Sequence, residues 1–208
     1  MHWNSPNQKG QPDRPKRASV PCHQGNVPVF ETGNLRVYAG GSTSGACLHD
    51  GWVLLDLAGL NVWKNVTVVG DLPFQRVRRV GPRAVISVHW PDGEAPNLRR
   101  SFWEALLDDL ADICATEPVN LLIACLGGHG RTGTALAIIV SLLDLVPEGE
   151  CPVQWVRAHY CQNAVETEEQ IVYIEAITGR EVKAQARYAW SPVKGLPSQP
   201  FVGEETAK

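Results

Sequence analysis

Hydrophobic residues change their spacing near residue 101 of this chain. Upstream of that point they form short apolar runs bounded by Gly, Pro, Asn and Asp, a pattern that predicts β-strands. The last run, Ala84–Val88, is almost entirely apolar, which is typical of a strand buried on both faces. The predicted strands are Val27–Phe30, Leu35–Tyr38, Trp52–Leu57, Val66–Val69 and Ala84–Val88.

Downstream of residue 101 the apolar positions recur at helical spacing, with one interruption. Ser101 is a predicted N-cap, and Glu104 completes a capping box at the start of the first helix. Val119–Ala124 is a further buried strand, and Thr132–Val146 is a helix apolar on nearly every side. Two more helices are predicted, one beginning at Pro152 and one running from Thr167 to Gly179.

Strands that alternate with helices predict a single-domain α/β fold, with a central, largely parallel sheet flanked by helices. Residues 27–186 are expected to form this domain. Residues 1–26 lack periodicity and are rich in Pro, Gly, Gln, Lys and Arg, which predicts a flexible basic arm. Residues 187–208 contain several prolines and predict a C-terminal tail.

Composition narrows the class of protein further. The 208 residues carry a formal net charge of −3, which does not favour binding to nucleic acid. The longest apolar run, Ala135–Val146, falls short of the roughly 18 residues that a membrane span needs, so no membrane association is expected. No apolar signal segment is visible at the N-terminus. The six scattered cysteines are interpreted as reduced thiols, which predicts a cytoplasmic location.

The candidate chemistry centres on the segment Cys125-Leu-Gly-Gly-His-Gly-Arg131-Thr132. It joins a predicted strand to a helix, an arrangement in which backbone N–H groups and the helix dipole stabilise an anion. A thiolate at Cys125 would be stabilised by the same field and by the guanidinium of Arg131. Arginine can hold two oxygens of a tetrahedral oxyanion at once, so the loop combines a nucleophile with a phosphate clamp.

A second polar segment, Trp90-Pro-Asp92-Gly-Glu-Ala-Pro96, follows the strand that ends at Val88. The C-terminal ends of parallel strands meet at one edge of a sheet, so Asp92 is expected near the Cys125 loop. A carboxylic acid on such a loop can protonate an alkoxide leaving group. Alone, the segment is better explained as a proline turn with a solvated Asp92; the Cys125 loop is what favours the acid role.

A third segment, Val165-Glu-Thr-Glu-Glu-Gln170, precedes the last helix. Thr167 and Gln170 form a capping box, which suffices to explain the pattern. The alternative is that this helix start holds a polar side chain over the phosphate and positions a hydrolytic water.

Together the three segments resemble the motifs of the protein tyrosine phosphatase superfamily, over roughly residues 35–179. The resemblance implies that Cys125 is the nucleophile, that Asp92 is the general acid and base, and that Thr132 assists departure of the thiolate. It further implies that Gln170 positions water. Phosphate would be held by Arg131 and the loop around it: Leu126, Gly127, Gly128, His129 and Gly130, with Glu166 facing the same pocket.

The chain departs from the family pattern at two positions. Ala124 stands where the family has histidine, and Glu166 stands where the first of two glutamines is expected. No lysine lies beside Cys125 or Arg131. Members of the family that act on lipid phosphates carry lysine there, so the resemblance disfavours a phosphoinositide substrate. The resemblance implies a phosphomonoester hydrolase, foremost a protein-tyrosine phosphatase acting on phosphoproteins. A dual-specificity or small-molecule phosphatase is the alternative.

Other interpretations of these residues are weaker. A nucleotide-binding P-loop would need a lysine that the loop lacks. Other reactions of a loop with this cysteine-to-arginine spacing, such as sulfur transfer or arsenate reduction, do not need an acid like Asp92. A phosphate-binding module without turnover stays open because of Ala124 and Glu166. The spacing of Cys151, His159 and Cys161 fits no common zinc pattern, so neither a metal nor another cofactor is expected.

Overall fold

The computed structural model of the protein describes residues 27–43, 46, 48–49, 51–59, 68–69, 74–77 and 83–183. The predicted arm (1–26) and tail (187–208) lie outside these residues. Within them the chain has the predicted α/β fold, a largely parallel sheet with four helices. The strands are β1 Phe30–Thr32, β2 Leu35–Gly41, β3 Val53–Asp56, β4 Val68–Val69, β5 Phe74–Val77, β6 Ala84–Val88 and β7 Val119–Cys125. The helices are α1 Arg100–Cys114, α2 Gly130–Leu142, α3 Pro152–His159 and α4 Glu168–Thr178.

The described strands form one sheet in the order β1-β2-β7-β3-β6-β5-β4. Its centre, β2-β7-β3-β6, is parallel, while β1, β5 and β4 pair antiparallel at the two sides. Cys125 at the end of β7 is in register with Gly41, and Asp56 at the end of β3 is in register with both Ala124 and Ser87. The central strands therefore end together, and the loops that leave them converge at one edge.

Alternation along β7 sends its side chains to two separate apolar clusters. Leu121, Ile123 and Cys125 face the large core, which also holds the buried residues of all four helices. Leu122 and Ala124 face a smaller cluster on the other side of the sheet, with Tyr38 and Trp52 packed against it. Every residue from Gly130 to Ser141 is buried, so α2 occupies the middle of the large core. None of the described helices is long and apolar enough to cross a membrane.

Helix α1 begins differently from the prediction. Ser101 lies inside the helix, Arg99 occupies the N-cap position, and no side chain caps the first turn. Instead, Glu104 pairs with Arg100 at 2.7 Å, and Arg100 Nη1 donates to the carbonyl of Ile177 at 3.3 Å. The predicted capping box is therefore wrong, because a contact with a distant part of the chain sets the helix start. Helix α2 also ends at Leu142, before the predicted Val146.

The prediction of six reduced cysteines is wrong, since Cys161 is disulfide-bonded. Cys114, Cys125 and Cys151 are free, as predicted. A disulfide requires two Cα atoms within about 7 Å in space. Cysteine spacing along a chain of this length does not reveal that proximity.

Tyr173 on α4 ties the core to the segment before α1. Its hydroxyl accepts a hydrogen bond from Trp103 Nε1 at 2.8 Å and donates one to the carbonyl of Leu98 at 3.0 Å. Burial raises the pKa of Tyr173 to about 12, although the Trp103 hydrogen bond works in the opposite direction. A tyrosine in the unfolded chain ionises near pH 10. Between about pH 10 and 12 the unfolded chain therefore loses a proton that the folded chain keeps, and stability falls as pH rises.

We expect Tyr173→Phe to reduce this alkaline loss of stability, measured by urea unfolding at a series of pH values. At neutral pH the same substitution should destabilise the fold by about 1–3 kcal/mol, because the Trp103 N–H and the Leu98 carbonyl lose a buried partner. Tyr38→Phe is the control, since Tyr38 is half-buried and stacks on Trp52. An alkaline slope that Tyr173→Phe leaves unchanged would contradict the assignment.

Candidate active site

The loop between β7 and α2, residues 125–132, is named the cradle. Gly128 has a φ of 82°, a left-handed conformation that favours glycine. This conformation points the Gly128 N–H at Cys125, to whose Sγ it donates at 3.1 Å. The Gly128 carbonyl points the other way and accepts a hydrogen bond from the Tyr160 hydroxyl at 2.5 Å. Burial, and the nearby Cys125 sulfur, raise the pKa of Tyr160, so its hydroxyl stays protonated and remains a donor.

Arg131 in the first turn of α2 has a fixed orientation. Its Nη1 donates to the carbonyls of Leu57 at 3.0 Å and Trp90 at 2.9 Å. The residue is only 6% exposed, yet its Nε has no hydrogen-bond partner among the described residues. A buried, unpaired donor on a cation costs free energy unless an acceptor arrives. The free edge of this guanidinium is therefore suited to an oxyanion.

Asp92 lies on the segment Trp90–Pro96, which is named the acid loop. Trp90 is buried against Trp103 and Tyr173, and its Nε1 donates to the Glu94 carbonyl at 2.7 Å, which folds the loop back on itself. Asp92 Oδ1 lies 3.0 Å from Arg131 Nη2, while its side chain is 81% exposed. The predicted acid thus lies beside the predicted clamp and keeps access to solvent.

The start of α4 carries the predicted capping box. The Thr167 hydroxyl accepts from the Gln170 N–H, and Gln170 Oε1 accepts from the Glu166 N–H at 2.8 Å. Gln170 is fully buried, and its Nε2 has no partner among the described residues. A Cβ added to Gly130 would lie 2.8 Å from that Nε2 and 2.5 Å from Glu166 Oε2, so both side chains lie over the cradle.

Glu166 is presented by a strained backbone. Val165, just before it, has a φ of 62°, which is rare for a β-branched residue. Arg157 holds this segment by donating to the carbonyls of Ala164 at 2.9 Å and Val165 at 3.0 Å. Burial lowers the pKa of Arg157 from its usual value, but a guanidinium remains charged at neutral pH. Glu166 Oε1 lies 3.8 Å from Nδ1 of His129, and both side chains are about one-third exposed.

Two further positions singled out in the sequence have the following surroundings. The Thr132 hydroxyl, expected to assist the Cys125 sulfur, donates to the Gly40 carbonyl at 3.3 Å. Ala124 faces the smaller apolar cluster across the sheet from the cradle, because neighbouring strand residues point to opposite sides. Of the rest of the cradle, Leu126 is 43% exposed at its rim, whereas Gly128 and Gly130 are buried.

Two contributors were not predicted from the sequence. Tyr160 supports the cradle and Arg157 supports the segment before Glu166, as described above. Thr167 was predicted as a helix cap, but its second contact was not: its hydroxyl donates to the Gly93 carbonyl at 2.8 Å, which joins the acid loop to α4. Tyrosine and arginine at such positions carry no spacing pattern, so no sequence signal marks them.

The arrangement brings a thiol, a guanidinium, a carboxylic acid and a buried amide to one edge of the sheet. A tetrahedral oxyanion in the cradle would meet the free edge of Arg131 and the sulfur of Cys125. Asp92 and Gln170 flank that position from the acid loop and from α4. Such a set can bind a phosphoryl group, attack it with sulfur and exchange a proton with its leaving group.

No protein-family model matches the chain. Two uncharacterized proteins of Methanocaldococcus jannaschii match part of it. One is 38% identical over 69 residues, which cover 33% of this chain and 41% of the relative. The other is 48% identical over 55 residues, which cover 26% of this chain and 35% of the relative. The matches thus span less than half the length of these curated relatives.

Among solved structures, the active form of Tk-PTP resembles the chain with a TM-score of 0.48 and 20% identity, covering 74% of this chain and 97% of that one. PTPN18 in complex with HER2-pY1248 phosphopeptides has a TM-score of 0.45 and 17% identity, covering 62% of each chain. PTPN18 is human protein tyrosine phosphatase non-receptor type 18. At these identities the likeness concerns the fold.

Proposed function

We propose that this protein is a phosphomonoester hydrolase that acts through a cysteinyl-phosphate intermediate, with phosphotyrosine in proteins as its substrate class. The observation that supports the proposal most directly is the hydrogen bonding of the Arg131 guanidinium. Two backbone carbonyls orient its guanidinium, its Nε lacks a partner among the described residues, and its Nη2 contacts Asp92. A structural arginine would have its donors satisfied within the fold, whereas the Nε of this one is unpaired among the described residues and its Nη2 is held by an exposed carboxylate that an anion can displace.

In the first step the Cys125 thiolate attacks phosphorus, and an S–P bond forms as the bond to the leaving oxygen breaks. Asp92 gives its proton to that oxygen. In the second step water attacks phosphorus and passes a proton to Asp92, while the S–P bond breaks and restores the thiolate. Gln170 Nε2 is the group suited to hold this water, because it is a buried donor over Gly130.

Asp92 and the substrate compete for Arg131. The carboxylate lies at hydrogen-bonding distance from Nη2, which together with Nε forms the edge that a phosphoryl group would occupy in bidentate fashion. A bound phosphoryl group therefore releases Asp92 from Arg131 and leaves it beside the leaving group. The 81% exposure of Asp92 permits this shift without loss of core packing.

The test is turnover of p-nitrophenyl phosphate followed by acid quenching and mass spectrometry. We expect a phosphoryl adduct on the peptide that contains Cys125, and more of it in Gln170→Ala, because the second step then slows. Free Cys114 provides the internal control and should stay unmodified. Turnover without an adduct would refute the mechanism. Phosphate binding without turnover would identify a binding module, and equal activity on phosphoserine and phosphothreonine peptides would identify a dual-specificity enzyme.

A further inference from the structure

A cavity of about 450 Å³ lies between the acid loop and α4, outside the cradle. We name it the acid-loop groove. Much of its lining is apolar and comes from Ala95, Val172, Tyr173 and Ala176. Val172 is 52% exposed, although it is a large hydrophobic residue on a helix. A concave apolar surface of this size is typical of a site that receives another molecule.

The charged residues that the structure describes in the lining of the groove are all acidic. They are Glu94, Glu168 and Glu169, each of them exposed. The carboxylates of Glu94 and Glu169 beside an apolar surface favour a cationic group on an apolar stem, which is what a lysine or arginine side chain offers. The same carboxylates repel a phosphate group.

The groove shares both of its walls with the active site. Glu94 follows Asp92 by two residues on the acid loop, and Glu168 follows Glu166 by two residues at the start of α4. The hydrogen bond from Thr167 to the Gly93 carbonyl joins these two walls. From Glu168 to Ala176 the helix advances about 12 Å, which about four residues of extended peptide would span. A flanking segment of about this length would follow the groove along α4.

We propose that the acid-loop groove binds the polypeptide that flanks the phosphotyrosine of a protein substrate, and that it selects lysine or arginine next to an apolar residue. This inference rests on the proposed function. Arg131 attracts the phosphate to the cradle, and the glutamates attract the basic flank to the groove while excluding the phosphate from it. The substrate is thereby oriented at two points. A peptide that contacts both walls also stabilises the acid loop against α4, with Asp92 in place.

The test compares kcat/KM for phosphotyrosine peptides that differ only in their flanks, with Arg-Leu, Glu-Leu or Gly-Gly placed on either side. We expect the Arg-Leu flank to exceed the Glu-Leu flank roughly tenfold on one side, consistent with several partly exposed ion pairs. Glu169→Lys should abolish this preference. Glu148→Lys is the matched control, because it makes the same charge change at an exposed position that does not line the groove.

Neither substitution should alter turnover of p-nitrophenyl phosphate, which has no flanking chain. Equal kcat/KM for all peptides, with p-nitrophenyl phosphate still hydrolysed, would refute the proposal that the groove selects the flanking residues. It would leave the proposed function intact. An equal loss of preference in Glu169→Lys and Glu148→Lys would also refute selection by the groove, because the effect would then reflect net charge. Absence of turnover with every substrate would overturn the proposed function, and this inference with it.

Discussion

Cys125→Ser is expected to lower the turnover of p-nitrophenyl phosphate by at least about 10⁴-fold, because removal of an activated nucleophile has effects of this order or larger. The cradle is built for a thiolate. The Gly128 N–H donates to the Cys125 sulfur at 3.1 Å. A serine hydroxyl in the same place would be a far weaker nucleophile than a thiolate.

Binding should survive this substitution. Arg131 and the backbone of the cradle are unchanged, so the affinity for a phosphotyrosine peptide, measured by calorimetry, should stay within a few-fold of the wild-type value. Cys114→Ser is the thiol control, since Cys114 is also free but lies at the end of α1. Turnover by Cys125→Ser above about one-tenth of the wild-type rate would exclude the cysteinyl-phosphate mechanism.

Asp92→Asn is expected to lower kcat for a phosphotyrosine peptide by about 10²–10³-fold, within the range usual for loss of a general acid. The loss should be smaller for p-nitrophenyl phosphate, because nitrophenolate leaves with little need for a proton. The substitution also removes the negative charge that lies 3.0 Å from Arg131 Nη2. Inorganic phosphate should therefore bind more tightly to the variant, and KM should fall together with kcat.

The control for Asp92→Asn is Glu94→Gln on the same loop. It makes the same neutralising change two residues away and should leave turnover of p-nitrophenyl phosphate unaltered. If Asp92→Asn lowered kcat equally for both leaving groups, Asp92 would not be the proton donor. Weaker binding of phosphate would show that Asp92 does not compete for Arg131.

The ends of α4 were predicted from the sequence, whereas the start of α1 was not. Thr167 and Gln170 cap α4 through contacts three residues apart, and Gly179 ends it with a φ of 71°. These signals are local, so the sequence carries them. Helix α1 begins at Arg100, whose side chain reaches the Ile177 carbonyl, 77 residues away. A favourable capping pattern at Ser101 was overridden by that tertiary contact.

The candidate site likewise has some features that local sequence patterns predict and others that depend on contacts between distant residues. The spacing from Cys125 to Arg131, the position of Asp92 after a strand and the polar start of α4 are local patterns. These residues were predicted from them, and their catalytic roles stay predictions. The orientation of Arg131 was not predictable, because it depends on the carbonyls of Leu57 and Trp90, 74 and 41 residues away. Every residue has a backbone carbonyl, so the identity of the amino acid does not reveal which one will serve as an acceptor.

The sequence by itself determined the α/β architecture and the chemical groups of the candidate site, since strand and helix periodicity and loop spacing are written in adjacent residues. The tertiary structure decided how those groups are held. It oriented Arg131 through two backbone carbonyls, paired Asp92 with Arg131, and joined the acid loop to α4 through Thr167 and Gly93. These contacts link segments distant in sequence, and they form only when parallel strands end at a common edge.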